Sequence, residues 1–264
     1  MKRENAPNRR QAGEALLRLL AGGGALSLSG CGLDPSAPGV LSILESVEAL
    51  TRRVQRALLA PREALAPEYA RADISSYFKP NGSVDPDDAD YLAARDKNFA
   101  DWTLEIGGLV ESPRKLSLAD LRALPSRTQI TRHDCVEGWS CIAQWKGAPL
   151  KAVLDAAGVK PQARYIAFFC ADQLEQTLDN SGTYYETIDL VDAAHPQTIL
   201  AYEMNDAPLP VAHGAPLRLR VERQLGYKMA KYIMRIEAIE SFDKLGRGRG
   251  GFWEDRGYEW YAGI

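Results

Sequence analysis

The stretch His133-Asp134-Cys135-Val136-Glu137-Gly138-Trp139-Ser140 sets one thiol beside acids, a glycine and a tryptophan. A lone cysteine in such a setting packs as a small apolar side chain, attacks as a nucleophile, or gives a soft sulfur to one metal. Cys135 and Cys141 have five residues between them, which fits no usual zinc spacing. In an oxidising compartment the same pair could close a disulfide, so the residues alone leave the role of Cys135 open.

Two later segments join basic side chains to glycines: His213-Gly214-Ala215-Pro216-Leu217-Arg218 and Gly226-Tyr227-Lys228-Met229-Ala230-Lys231. Read singly, His213 is also an ordinary turn histidine, Arg218 an exposed strand residue, and 226–231 a solvated basic turn.

The elements that position these residues are short. Trp102–Ile106 alternates like a strand, and Ser117-Leu118-Ala119-Asp120 opens a helix with a capping box that Pro125 ends. Thr128–His133 has strand composition, which places Cys135 just past a strand end. Pro149–Ala157 predicts a short helix closed by Gly158, and Arg164–Cys170 and Ile199–Tyr202 predict apolar strands. Leu217-Arg218-Leu219-Arg220-Val221 alternates, and Tyr232–Ile239 closes the core. Many short strands with few long helices give an α+β class.

Taken in order, the Cys135 segment, His195-Pro196-Gln197-Thr198-Ile199-Leu200-Ala201-Tyr202-Glu203-Met204-Asn205, Pro208-Leu209-Pro210, the His213 segment and the Gly226 segment resemble the molybdopterin-binding domain of the sulfite oxidase family. The resemblance runs from about residue 70 to the end of the chain. It implies the sulfite oxidase-type molybdopterin-binding fold, with mixed sheets and short helices, over 71–264. It implies Mo-molybdopterin as cofactor and Cys135 as the thiolate ligand of the molybdenum. It places His213, Arg218, Met229, Ala230 and Lys231 on the pterin and its phosphate, and Cys170 at a cofactor-contacting position. Ser76-Tyr77-Phe78-Lys79-Pro80-Asn81-Gly82 matches a segment that carries pterin contacts, so Phe78 and Lys79 join the list. Lys79 stands where sulfite oxidases have an active-site arginine, and Tyr184 or its neighbour Tyr185 where they have a tyrosine on the substrate side.

The chain departs from sulfite oxidases in ways that bear on substrate. Cys135 is followed by Val-Glu-Gly-Trp, as in bacterial methionine sulfoxide reductase catalytic subunits, and a carboxylate at Glu137 would repel sulfite. Lysine at 79 keeps the charge but lacks arginine's bidentate fork. No C-terminal immunoglobulin-like domain and no haem motif are expected. The expected function is two-electron oxygen-atom transfer on a small-molecule substrate, sulfite-like or an S- or N-oxide. Electrons would pass to or from a separate partner, such as a membrane cytochrome or a quinone-linked protein. The alternative is a non-catalytic molybdopterin-binding or interaction protein that retains the fold.

Bulk properties agree with an enzyme domain. The 264 residues are 45% hydrophobic and 25% charged, with a net charge of −3, which argues against nucleic acid as partner. A monomer is expected. Residues 1–30 resemble an export signal, with Arg9-Arg10 as a twin-arginine pair and Leu28-Ser29-Gly30-Cys31 as a lipobox. That implies a periplasmic protein, lipid-anchored through Cys31. Twin-arginine export suits a protein that folds around its cofactor before crossing the membrane. Residues 1–30 carry five basic and two acidic side chains, so the remainder carries −6. Residues 31–70 read as a tether followed by an amphipathic helix over 41–60, which Pro61 stops.

Overall fold

The computed structural model describes residues 50, 54, 64–177 and 181–264. The export signal, the tether and, Leu50 and Val54 apart, the 41–60 helix lie outside the described residues.

Among the described residues, ten strands form two sheets. The first runs in the order β2 (Arg114–Ser117), β1 (Thr103–Gly108), β10 (Ile233–Ile239), β5 (Tyr165–Gln173) and β6 (Thr183–Asp189). Only β1 and β10 are parallel within it. The second pairs β3 (Arg127–Asp134) with β4 (Ser140–Pro149) and β4 with β7 (Ile199–Met204). The far edge of β7 carries β8 (Ala207–Pro208) and β9 (Arg218–Arg220) in succession. The helices are short: α1 (Ala89–Asp96), α2 (Leu118–Ala123), α3 (Leu150–Ala157) and α4 (Leu190–Ala193). This is the mixed-sheet, short-helix α+β fold that the sequence predicts.

Local chemistry accounts for the boundaries. Ser117 and Asp120 complete the capping box that starts α2. Gly158, at φ +69°, takes the left-handed turn that ends α3. The strand β7 reads as a continuous apolar run because both of its faces are covered. Leu200 and Tyr202 join the main core with Ile166 and Phe168 of β5 and Ile236 of β10. Ile199 and Ala201 face the other way, into a smaller cluster with Phe78 and Trp145.

Read singly, Arg218 is an exposed strand residue, yet Arg218, Leu219 and Arg220 are all fully buried. The guanidinium groups lie over the Trp145 ring, at 4.8 Å for Arg218 and 4.4 Å for Arg220. An aromatic face attracts a planar cation and so offsets part of the hydration it loses.

Candidate functional site

Cys135 opens the loop between β3 and β4. Its N–H donates to the Trp139 carbonyl, the Gly138 N–H returns to the Cys135 carbonyl, and Gly138 sits at φ +84°. Adjacent backbone ties therefore hold the thiol at a strand end. Cys135, Cys141 and Cys170 are all free thiols, so the rival disulfide is not formed. Cys141 pairs across the ladder with His133 and turns its sulfur toward the Tyr77 carbonyl. Burial pushes the Cys135 thiol up, against the N–H groups of Glu137 and Val136. A thiolate here needs a further positive partner.

Cys135 lines a cleft of about 130 Å³ with Asp172, Tyr184, Met229, Lys231 and Trp253. Strand alternation separates the two tyrosines. Tyr184 faces this cleft, while Tyr185 donates to Asp255 at 2.7 Å and to the Leu245 carbonyl. Lys79 does not line the cleft itself: it is exposed, with Nζ 2.9 Å from Glu137, which does, and over the Trp139 ring. Its charge is held by Glu137, which accepts from Trp139 Nε1 as well.

Beside the thiol lies a buried cluster of basic and aromatic side chains. Phe78 packs against His133, Trp139, Trp145 and His213. Arg218 donates through Nη1 to the His213 carbonyl at 2.9 Å. Lys231 donates to the carbonyls of Ser83 and Ala212. Gly214, at φ +107°, lets the stems of Lys231 and Arg218 converge; a Cβ there would stand 2.9 Å from Lys231 Cβ and 3.2 Å from Arg218 Cβ. Gly226 is needed for the same reason, since a Cβ would enter the His133 ring. Met229 lies 3.3 Å from His133 Nδ1, and Ala230 accepts the Leu219 N–H through its carbonyl.

Arg218 is short of an anion in this cluster. Arg220 is matched by Glu222 at 2.6 Å, both fully buried. Arg218 has no carboxylate, and its Nε and Nη2 have no partner among the described residues. His133 Nε2, His213 Nδ1 and Asn81 Oδ1 are also buried without partners. Burial, then the charge of Arg220, pulls Arg218 down to about 9. Burial, then Arg218, lowers Lys231 to about 7 and His213 to about 4, so that imidazole is neutral. Buried donors left unpaired cost stability unless a ligand completes them. A planar heterocycle carrying a phosphate fits this donor set: the guanidinium and ammonium for the anion, and the neutral imidazoles and amide for ring edges.

Cys170 sits on β5, buried, and burial then Asp172 hold its thiol well above the usual range. Asp172 is a site residue that the motifs do not mark. It accepts from Ser83 at 2.9 Å, keeps Oδ1 unpartnered, and is raised to about 6 by burial. An acid inside an apolar strand run was the available signal. Lys228, inside the basic segment, turns away from the cleft into a buried pair of glutamates. Nothing in its neighbours in sequence marks it off from Lys231.

A profile of the oxidoreductase molybdopterin binding domain matches residues 91–244. A protein of Azospira oryzae, provisionally named as the protein-methionine-sulfoxide reductase subunit YedZ1, is 36% identical over 94% of this chain and 86% of its own length. The protein-methionine-sulfoxide reductase catalytic subunit MsrP of Xanthomonas axonopodis is 33% identical over 85% of this chain and 69% of its own. The solved sulfane dehydrogenase SoxCD of Paracoccus pantotrophus overlaps 53% of this chain and 39% of that one, with 24% identity and a TM-score of 0.47. The matched profile and the two relatives place the chain in the oxidoreductase molybdopterin-binding domain family: it is a molybdenum-dependent oxidoreductase of the sulfite oxidase family, with Mo-molybdopterin as its cofactor.

Proposed function

We propose that this chain reduces S-oxides, with the methionine sulfoxide side chain as substrate class, and that Cys135 is the thiolate ligand of the molybdenum. In the net reaction a sulfoxide takes up two electrons and two protons and leaves as a thioether and one water. When bound, the cofactor supplies the two electrons and the acceptor for the oxygen atom. The electrons come from a separate redox protein, such as a membrane cytochrome or a quinone-linked protein. The site of action is the periplasm, after twin-arginine export.

The chain's own residues divide this work. Cys135 would give up its proton to hold the metal, because a neighbouring positive charge offsets the burial that raises the thiol. Arg218, through its free Nε and Nη2, would hold the anionic part of the cofactor, with Lys231 and the backbone of Met229 and Ala230 beside it. His213 and Phe78 would hold the pterin. Tyr184 offers a hydroxyl on the substrate side.

The observation that carries the S-oxide reading is the Lys79–Glu137 pair at 2.9 Å. Glu137, a wall residue of the cleft, holds the charge of Lys79, which a dianion such as sulfite would need free. Trp253, Tyr258 and Val136 beside it suit a neutral thioether, which makes favourable sulfur–aromatic contacts. The relatives' names point the same way. The test is turnover of the cofactor-loaded protein with a reduced viologen dye and methionine sulfoxide, set against sulfite with an oxidised acceptor. Dye oxidation by the sulfoxide with no sulfite-dependent acceptor reduction is expected. Sulfite oxidation without sulfoxide reduction would overturn the reading.

A further inference from the structure

S-oxide reduction consumes two protons, and the protein buries an acid directly behind a hydroxyl that faces both cleft and interior. Tyr184 and Glu186 stand two apart on β6, so they share a face. The Tyr184 hydroxyl donates to the Tyr227 carbonyl and lies 3.4 Å from Glu186 Oε2. The other oxygen, Oε1, already accepts from the Thr187 N–H at 2.7 Å and from Lys228 Nζ at 2.5 Å. Lys228 donates equally to Glu254 Oε1 at 2.5 Å. All three side chains are sealed, at most 1% exposed.

Two carboxylates around one ammonium would leave a net negative charge in a dry interior. Such a site takes up a proton instead. Burial, then Glu254, raises the Glu186 carboxyl well above the usual range, outweighing Lys228. The remaining ionisable groups near it are Tyr184, Tyr185, Tyr227 and Cys170, all of which are neutral at pH 7. Oε1 is already occupied as an acceptor, so the proton sits on Oε2, against Tyr184.

We propose that Glu186 is a proton store for Tyr184, a positioning residue that acts on the cleft through that hydroxyl. This rests on the S-oxide reading above. Substrate oxygen competes with the Tyr227 carbonyl for the Tyr184 O–H and takes its proton as the S–O bond breaks. The Glu186 Oε2–H bond then breaks and its proton re-forms the tyrosine O–H. Glu186 is left as a carboxylate beside Lys228 and is refilled between turnovers by a proton that enters through the cleft and passes over the Tyr184 hydroxyl. The second proton of the water formed enters from solvent through the cleft. Both electrons come from the reduced cofactor.

Glu186→Gln keeps the shape and the hydrogen-bond reach but has no proton to give. It should lower kcat by no more than Tyr184→Phe does, on the order of 10–100-fold, with KM and molybdenum content held, and should remove the alkaline limb of the kcat–pH profile. Glu254→Gln should move that limb to lower pH, because loss of the neighbouring negative charge eases ionisation of Glu186. The Tyr184→Phe, Glu186→Gln double variant should be no slower than Tyr184→Phe alone. Independently of turnover, infrared spectra at pH 8 should show a protonated-carboxyl band that Glu186→Gln abolishes, since Asp172, at about 6, is ionised there. A wild-type pH profile in Glu186→Gln, or a band that survives it, would overturn the proton store. Failure of the wild-type protein to turn over sulfoxide sinks the S-oxide reading instead, and is seen before any variant is made.

Discussion

Arg218 is the residue at which stability and function oppose each other. A fully buried guanidinium with two unpaired nitrogens destabilises the cofactor-free protein and waits for an anion. Arg218→Met should leave the melting temperature of the cofactor-free protein unchanged or raised. It should also lower pterin occupancy, because it removes a charge-assisted contact worth about 1.5–3 kcal/mol. Normal loading in this variant, measured by released pterin, would refute the assignment. Cys135→Ala should abolish turnover and remove one sulfur from the molybdenum X-ray absorption shell, whereas Cys141→Ala leaves both intact. Dependence on both cysteines would point back to a disulfide. His213 adds a pH effect whose sign is determined. Its folded-state pKa is depressed to about 4 from 6.5, so the folded protein refuses a proton that the unfolded chain accepts. The stability this gives is complete above 6.5 and falls away as pH drops toward 4. His213→Asn should flatten that slope in thermal melts of the cofactor-free protein. It should not erase it, because burial, then Arg220, depresses His133 in the same direction.

At the scale of elements, β6 divides two adjacent hydroxyls between two environments. Tyr184 meets the cleft and Glu186, and Tyr185 ties the strand to Asp255, whose carboxylate also accepts the Arg247 and Arg249 N–H groups. The glycine-rich loop from Gly246 to Gly251 is therefore wrapped on a carboxylate. Tyr184→Phe should slow turnover on the order of 10–100-fold with the molybdenum spectrum unchanged. Tyr185→Phe should leave kcat near wild type and raise amide exchange across 245–256. The opposite pattern would mean that β6 is out of register by one residue.

At the scale of the whole molecule, the proposed binding of the cofactor by the unmatched buried cations predicts that folding and loading are coupled. Anything that binds the folded protein and not the unfolded chain raises stability by mass action. Loaded protein should melt well above cofactor-free protein, and added inorganic phosphate should recover part of the difference. Phosphate should do nothing for an Arg218→Met, Lys231→Met double variant. Equal melting of loaded and cofactor-free protein would show that this cluster is not where the cofactor is held. A protein stabilised this way suits export in the folded state. Changing Arg9 and Arg10 together to Lys should keep loaded protein in the cytoplasm, and unchanged periplasmic delivery would remove the twin-arginine assignment.

Sequence alone determined the strand that ends at Cys135, the capped start of α2, the glycine stop of α3 and the α+β class. Each depends on neighbours within a few residues, where propensity and hydrogen-bond chemistry are local. The ordered motifs also determined the family and its cofactor. Tertiary structure decided which side chains meet. Arg218 and Lys231 converge only because the Gly214 turn and β9 bring together residues that lie at different depths of the fold. The free state of Cys135 and Cys141, the Lys79–Glu137 pair and the choice of Tyr184 over Tyr185 all depend on strand register. A one-residue shift in register reverses which face a side chain takes. Lys228, Glu186 and Glu254 were the least legible. Each looks like an ordinary surface charge in its own segment, and only the packing of three distant segments excludes water from all of them at once.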